Sequence, residues 1–217
     1  MEEWWNKRYK DEGFIWDKIP SECAKKSIPL FRSEKVKKVL DIPCGYGRDS
    51  IFLHREGYQV DAVDFSKHAL EMFQDYQKEE DYEIFSHCRP AHNLHFEDGT
   101  YDAILSNRFI NLLYEDDYRE AVIDEMHRIL KNDGILCLST RCVGDPEEKS
   151  AIRKDGSCVE IDDREGHKVR FNSREEMIEL LSKKFEIIDI HEISEPVTAT
   201  RGEHCPLIYI SAKKKKL

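Results

Sequence analysis

The sequence predicts an α/β protein: a parallel sheet doubly wound, with helices on both faces. Three observations carry this expectation. An apolar run, Val39 to Ile42, contains an acid at Asp41 and leads into a Gly45-x-Gly47 turn, and a helical pattern (Ile51, Phe52, Leu53) follows. A second apolar run ends in Asp64, about 20 residues further on, where a carboxylate behind a glycine turn is placed to accept ribose hydroxyls. Strand-like and helix-like segments then alternate as far as Thr140, and such alternation requires parallel strands joined by crossover helices.

The elements follow in chain order. Glu2 to Phe31 precedes the first strand and holds all three tryptophans, Trp4, Trp5 and Trp16. Trp5 and Tyr9 share a helix face at i, i+4 spacing, so with Trp16 they either pack as core or cover the crevice above the sheet. Glycines in the turn permit positive φ and close backbone approach, and the helix start behind them leaves free N–H groups. Ser66 reads as the N-cap of a helix over Lys67–Gln77. Tyr82 to Cys88 alternates weakly, as an edge strand does. Asp102 to Asn111 forms the fourth strand and the loop at its carboxyl end, where ligands of open sheets sit; Ser106, Asn107 and Arg108 are candidates by position. The alternative for Arg108 is an ion pair with Glu115-Asp116-Asp117.

A helix over Asp116–Leu130 carries a core stripe at Tyr118, Val122, Met126, Ile129 and Leu130, with Gly134 as its C-cap signal and a strand over Ile135–Thr140. Val143 to Asn172 is polar, rich in glycine and without periodicity, which predicts a substrate lid (143–172). Its most chemically able side chains are His167 and Arg170, with solvent exposure as the alternative for each. Ser173-x-x-Glu176 is a capping box opening a helix over Arg174–Lys184. Strands follow at Phe185–Ile190 and Leu207–Ser211, and Lys213–Lys216 reads as a solvated tail. No repeat or domain boundary interrupts residues 1–217, so one domain is expected, with residues 1–35 as a helical cover.

Composition narrows the function. A net charge of -10 argues against nucleic acid, whose phosphates need a basic surface. Seven cysteines without a Cys-x-x-Cys pair give neither a zinc site nor a disulfide framework, so no metal is expected. No run approaches the ~18 apolar residues of a membrane span, and no signal-peptide core is present. The expected setting is cytoplasmic, with a small-molecule substrate, no membrane partner, and a monomer or at most a weak homodimer.

The type of nucleotide comes next. A pyrophosphate turn needs a third glycine where Ser50 stands, and a Walker loop needs a lysine after the glycine. Asp41, Gly45 and Gly47 instead resemble motif I of the class I S-adenosylmethionine (SAM) methyltransferases, Asp/Glu-x-Gly-x-Gly-x-Gly, with Pro43 and Asp49 replacing two glycines. The resemblance implies a Rossmann-like sheet of about seven strands, mostly parallel with an antiparallel last strand, and SAM as cofactor. It puts Asp41, Pro43, Cys44, Gly45 and Gly47 at the turn, and Asp64 and Phe65 beside the nucleoside. Arg89 to Asp102 resembles the stretch that holds adenine in this family. Pro90 stands there for the usual acid, leaving adenine to the backbone at Ala91 with His92 alongside; His92 as a solvent-facing residue is the alternative. The N-terminal aromatics resemble those of the thiopurine and tellurite-resistance methyltransferases. That likeness implies that Trp5 and Tyr9 cover the cofactor, that Trp16 faces the substrate, and that Arg108 holds the methionine carboxylate or an acidic substrate group.

Methyl transfer from a sulfonium is an in-line displacement, so alignment and exclusion of water dominate. No His-Asp or paired-carboxylate spacing supplies a general base, which favours a thiol or another chalcogen as the acceptor. Cys44, at a helix start, is either a lowered-pKa nucleophile or a packed turn residue. Two other classes remain: a SAM-binding regulator without catalysis, and a nicotinamide-dependent reductase.

Overall fold

The computed structural model describes residues 2–145, 148, 151–155, 158–161, 168–196, 198 and 204–216. Two helices, α1 (Glu2–Glu12) and α2 (Glu22–Ser33), precede β1 (Lys38–Asp41). There follow α3 (Arg48–Arg55), β2 (Gln59–Asp64), α4 (Lys67–Glu79), β3 (Phe85–Cys88), β4 (Tyr101–Asn107) and a short 3₁₀ turn over Ile110–Leu112. Next come α5 (Asp116–Ile129), β5 (Leu130–Arg141), β6 (Ala151–Asp155), β7 (Cys158–Ile161) and β8 (Lys168–Arg170). The chain closes with α6 (Arg174–Ser182), β9 (Phe185–Pro196) and β10 (His204–Lys214).

Seven strands form one sheet in the order β3-β2-β1-β4-β5-β10-β9. β1 to β5 pair in parallel, and β10 runs antiparallel to both β5 and β9. The expected doubly wound sheet with an antiparallel last strand is therefore the observed one. Strand order reverses between β1 and β4, so a crevice opens at their carboxyl ends.

Alternation along the strands explains the two cores. Leu40, Ile104 and Leu136 point to the face covered by Val122 and Met126 of α5 and Met177 and Leu181 of α6. Their neighbours Val39, Leu105 and Cys137 point to the face covered by Phe31 of α2, Ile51 of α3 and Phe73 of α4. No helix among the described residues is long and apolar enough to cross a membrane.

Local chemistry sets the element ends. Ser66 caps α4 by accepting from Ala69 N at 3.1 Å, and Ser173 and Glu176 complete the capping box of α6. Two expectations fail, the Gly134 cap and the lysine tail. Gly134 is no helix cap: α5 gives way to β5 at Leu130, and Gly134 lies inside that strand. A Cβ there would stand 2.8 Å from the Lys131 carbonyl oxygen and 3.2 Å from that of Asp102, so backbone crowding explains the glycine. The polar segment before Asn172 contains three short strands, β6-β7-β8, paired as an antiparallel sheet. The lysine-rich end is not a free tail, because β10 runs through Lys214, Lys213 pairs with Glu34 at 3.0 Å and Lys216 with Asp133 at 3.3 Å.

Gly47 shows why the turn after β1 needs glycine. Its φ is +82°, and a Cβ would lie 2.0 Å from the Phe73 ring. The turn and α4 thus interlock. Gly47→Ala should lower stability by about 2–4 kcal/mol, from overpacking and a left-handed backbone combined; a denaturation midpoint equal to that of the parent would contradict this packing.

Candidate cofactor and substrate cleft

The cleft begins with what the Pro43–Gly47 turn must satisfy. Cys44 N donates to Val63 O at 2.9 Å and Gly47 N to Cys44 O at 2.9 Å, which folds the turn over the end of β2. Asp64, at that end, accepts from Gly45 N at 2.8 Å through Oδ2 and from Ser66 N at 2.8 Å through Oδ1. One carboxylate therefore ties the glycine turn to the start of α4. Its oxygens keep acceptor capacity beyond these two bonds, and Asp64 lines the cleft.

Burial pushes the Asp64 carboxyl up to about 6, against the lowering effect of its backbone donors Ser66, Gly45 and Phe65. Hydrogen bonds thus recover only part of the lost hydration. Asp41 lies behind the turn rather than on the cleft wall. It accepts from Ser50 Oγ at 2.6 Å, anchoring the first turn of α3, and burial together with nearby Asp49 holds its carboxyl well above the usual range.

Helix α1 lies over this floor. Asn6 Oδ1 accepts from Ser66 Oγ at 2.7 Å and from His68 N at 3.2 Å, so α1 is pinned to the head of α4. A Cβ on Gly45 would stand 2.8 Å from the Tyr9 hydroxyl. Trp5 packs on Tyr9 and Trp16 with centroids at 5.6 and 6.3 Å, and Tyr9 meets Tyr46 edge-on at 6.0 Å. Tyr46 fixes the loop after α1, donating to Asp17 O at 2.7 Å and accepting from Trp16 N at 2.9 Å. Burial and the adjacent Asp64 raise the Tyr9 phenol well above its ordinary value, so Tyr9 stays protonated.

The far wall comes from the ends of β4 and β5. Asn107 Oδ1 accepts from Ser139 Oγ at 2.5 Å. Arg108 has φ +53°, a left-handed backbone that is costly for arginine. Its N–H donates to Ser139 O at 2.9 Å, and its guanidinium reaches Pro196 O at 3.0 Å and Cys205 Sγ at 3.2 Å. Arg141, at the end of β5, donates through Nε to Asp145 Oδ2 at 2.8 Å.

These walls border a cleft that stays open to solvent. A second hollow, lined by Pro90 and Tyr118 among others, shares Phe65 and Leu112 with the first.

The cleft brings together Trp5, Tyr9, Trp16, Pro43, Cys44, Gly45, Asp64, Phe65, Asn107 and Arg108. Asp41 lies behind the turn, and Gly47, within it, packs against Phe73. Ala91 is buried in the core, while His92 is exposed and meets the Tyr118 ring at 5.0 Å. Ser106 is fully buried, its hydroxyl without a hydrogen-bond partner among the described residues. Arg170 donates to Asp116 Oδ1 at 2.9 Å and Tyr114 O at 3.3 Å, so it, and not Arg108, serves the acidic start of α5. His167 lies outside the described residues. Burial, then the charges of Asp64 and Asp41, push the Cys44 thiol well up, which removes the lowered-pKa nucleophile reading.

Sequence reasoning missed Arg8, Tyr46, Arg48, Asn111 and Arg141, all on the cleft wall. Arg141 was findable, because it closes a parallel strand just as Arg108 follows one. Arg8 was not, since i, i+4 spacing with Glu12 reads as an ordinary surface pair.

Residues 39–134 match the family described as a methyltransferase domain. A curated glycine/sarcosine N-methyltransferase of Aphanothece halophytica is 30% identical over 141 residues, 60% of this chain and 53% of that relative. The chain thus spans about half the length of the curated relative it matches. Among solved structures, the PH0226 protein of Pyrococcus horikoshii OT3 superposes with a TM-score of 0.77 at 20% identity, covering 96% of this chain and 99% of that one. The 1,6-didemethyltoxoflavin-N1-methyltransferase of Burkholderia thailandensis, with S-adenosylhomocysteine bound, gives 0.71 at 19% identity over 97% and 85% of the two chains. Residues 39–134 are therefore similar to a methyltransferase domain, and the chain shares the fold of these solved structures.

Proposed function

We propose that the protein transfers a methyl group from SAM to a small-molecule acceptor. The observation that carries this is Asp64: a buried, backbone-held carboxylate facing a roofed cleft directly behind a glycine turn. Bound there, SAM supplies an electrophilic methyl on a sulfonium. Asp64 takes the two ribose hydroxyls on its remaining lone pairs, and Phe65, with the hollow beyond it, receives adenine. Gly45, Cys44 and Pro43 form the floor under the methionine end. Trp5 and Tyr9 close over it and exclude water, which shields the reacting centre from hydrolysis.

No histidine is among the described residues lining the cleft. Tyr9 holds its proton at neutral pH, and Asp64 is committed to the ribose. An acceptor that needs no general base fits such walls, and a soft thiolate or other chalcogen nucleophile meets that condition. The aromatic segment over the cleft supports the same thiopurine- or tellurite-type arrangement, with residues 1–217 as one domain and residues 143–172 as the substrate-side segment.

The test is calorimetric SAM binding, followed by a screen of thiols, selenite, tellurite, halides and small amines for formation of S-adenosylhomocysteine. Binding without turnover of any acceptor would favour a regulator over an enzyme. Asp64→Ala should weaken SAM at least tenfold, as the loss of charge-assisted hydrogen bonds of ~1.5–3 kcal/mol implies; unchanged affinity in the folded variant would remove Asp64 from the site.

A pH dependence follows. The Asp64 carboxyl sits at about 6 when folded, against ~3.9 unfolded. Its contribution to ligand-free stability is therefore present below pH ~4 and is lost as pH rises through 6. Ribose hydroxyls donate to the ionised form, so the cofactor has the opposite preference. S-adenosylhomocysteine affinity should be level above pH ~7 and fall through 6, by up to ~tenfold per unit. Titration calorimetry from pH 5 to 8 reads this directly, and a flat profile would contradict it.

A further inference from the structure

The end of β5 orients two amide side chains on the cleft wall. Asn107 closes β4, Asn111 lies in the 3₁₀ turn that follows, and both line the cleft. Ser139, fully buried in β5, stands opposite Asn107 in the β4–β5 pairing. Its Oγ accepts from Arg108 N at 3.2 Å, so its own proton goes to Asn107 Oδ1 at 2.5 Å. The neighbouring Cys23 thiol, kept protonated by burial, is a poor competing acceptor. Two residues on, Arg141 N donates to Asn111 Oδ1 at 3.5 Å. Each amide therefore turns its carbonyl toward β5 and leaves its N–H donors as the free end. No acceptor among the described residues takes the protons of either Nδ2. Asn111 is only 3% exposed, and an amide donor buried without an acceptor is costly.

These donors stand apart from the nucleoside anchor. Asp64 ends β2, and β1, β4 and β5 follow it across the sheet. Neighbouring strands lie ~4.8 Å apart, so β4 and β5 run ~10 and ~14 Å from β2. A cofactor anchored at Asp64 extends its methionine end over the Pro43–Gly47 turn, and the two amides lie beyond it. They offer N–H groups and no acceptor, which matches an oxygen lone pair and gives nothing to an ammonium group.

We propose that Asn107 and Asn111 hold a carbonyl oxygen of the methyl acceptor, with Ser139 as the residue that positions the first amide. The proposal rests on the methyltransferase reading above and narrows it to acceptors that carry a carbonyl group. A carbonyl oxygen has two lone pairs for amide donors, and a neutral donor pair suits a neutral oxygen.

The experiment titrates a matched pair of probes into the protein loaded with S-adenosylhomocysteine. Acetophenone carries the carbonyl oxygen, and α-methylstyrene has the same shape with a methylene group in its place. Acetophenone should bind at least ~fivefold more tightly, the scale of one net hydrogen bond. Asn107→Leu and Asn111→Leu should each cut that ratio at least ~threefold, and Ser139→Ala should cut it by less. Affinity for S-adenosylhomocysteine should change less than ~threefold in all three variants. Asn107 is half-buried, so its variant carries the test should Asn111→Leu fail to fold. A ratio near unity in the parent, no binding of either probe, or a ratio unchanged in Asn107→Leu overturns the proposal. So does an Asn107→Leu variant that loses S-adenosylhomocysteine while keeping the ratio, because the amide would then hold the cofactor. A parent protein that prefers acetophenone but never binds the cofactor would instead sink the methyltransferase reading and leave the donor wall standing.

Discussion

The carboxylate of Asp64, shared between Gly45 N and Ser66 N, is the interaction on which the rest of the cleft depends. It joins the turn after β1 to the first turn of α4, and α4 in turn locks Gly47 through Phe73. Ser66 extends the chain of contacts to Asn6, and hence to the helix that roofs the site. Floor, side wall and roof therefore share one anchor. That anchor is costly to bury, as its raised pKa records. A buried carboxylate with lone pairs still facing a cleft is more economically explained by a ligand's hydroxyl donors than by packing alone.

Around this anchor the cleft divides by chemistry. The glycine turn and Asp64 offer backbone donors and one negative charge. The opposite side, from Trp16 to Arg108, offers aromatic faces and positive charge. The proposed sulfonium cofactor fits the Asp64 side of this division. In the proposed reaction, holding cofactor and acceptor close together under the α1 aromatics is most of the protein's work, because alignment rather than proton transfer limits a displacement of this kind.

Much of this was legible in the sequence, for local reasons. Ser66, the Ser173/Glu176 box and the edge position of β3 each answer a need that falls within a few residues. Asp64 was legible because its distance from the glycine turn is set by one crossover unit. Gly47 was found for an incomplete reason, since the ring it must admit comes from Phe73 on another helix. Gly134 was misread because a glycine past a helical stripe looks like a cap, whereas the crowding comes from the carbonyls of Lys131 in the same strand and Asp102 on β4. Arg170, expected toward the substrate, instead serves the acidic start of α5 from β8, a pairing across 54 positions that no local pattern encodes. The basic character of the cleft was invisible for the same reason, since Arg8, Arg48, Arg108 and Arg141 converge from four separate segments of an acidic chain.

The most direct measurement is a crystal structure of the protein grown with S-adenosylhomocysteine. The account predicts density in the cleft with both ribose hydroxyls on Asp64, the base against Phe65, and Tyr9 and Trp5 closed over the ligand. An empty cleft under saturating ligand, or a nucleoside held elsewhere with Asp64 bonded only to Gly45 and Ser66, would contradict it.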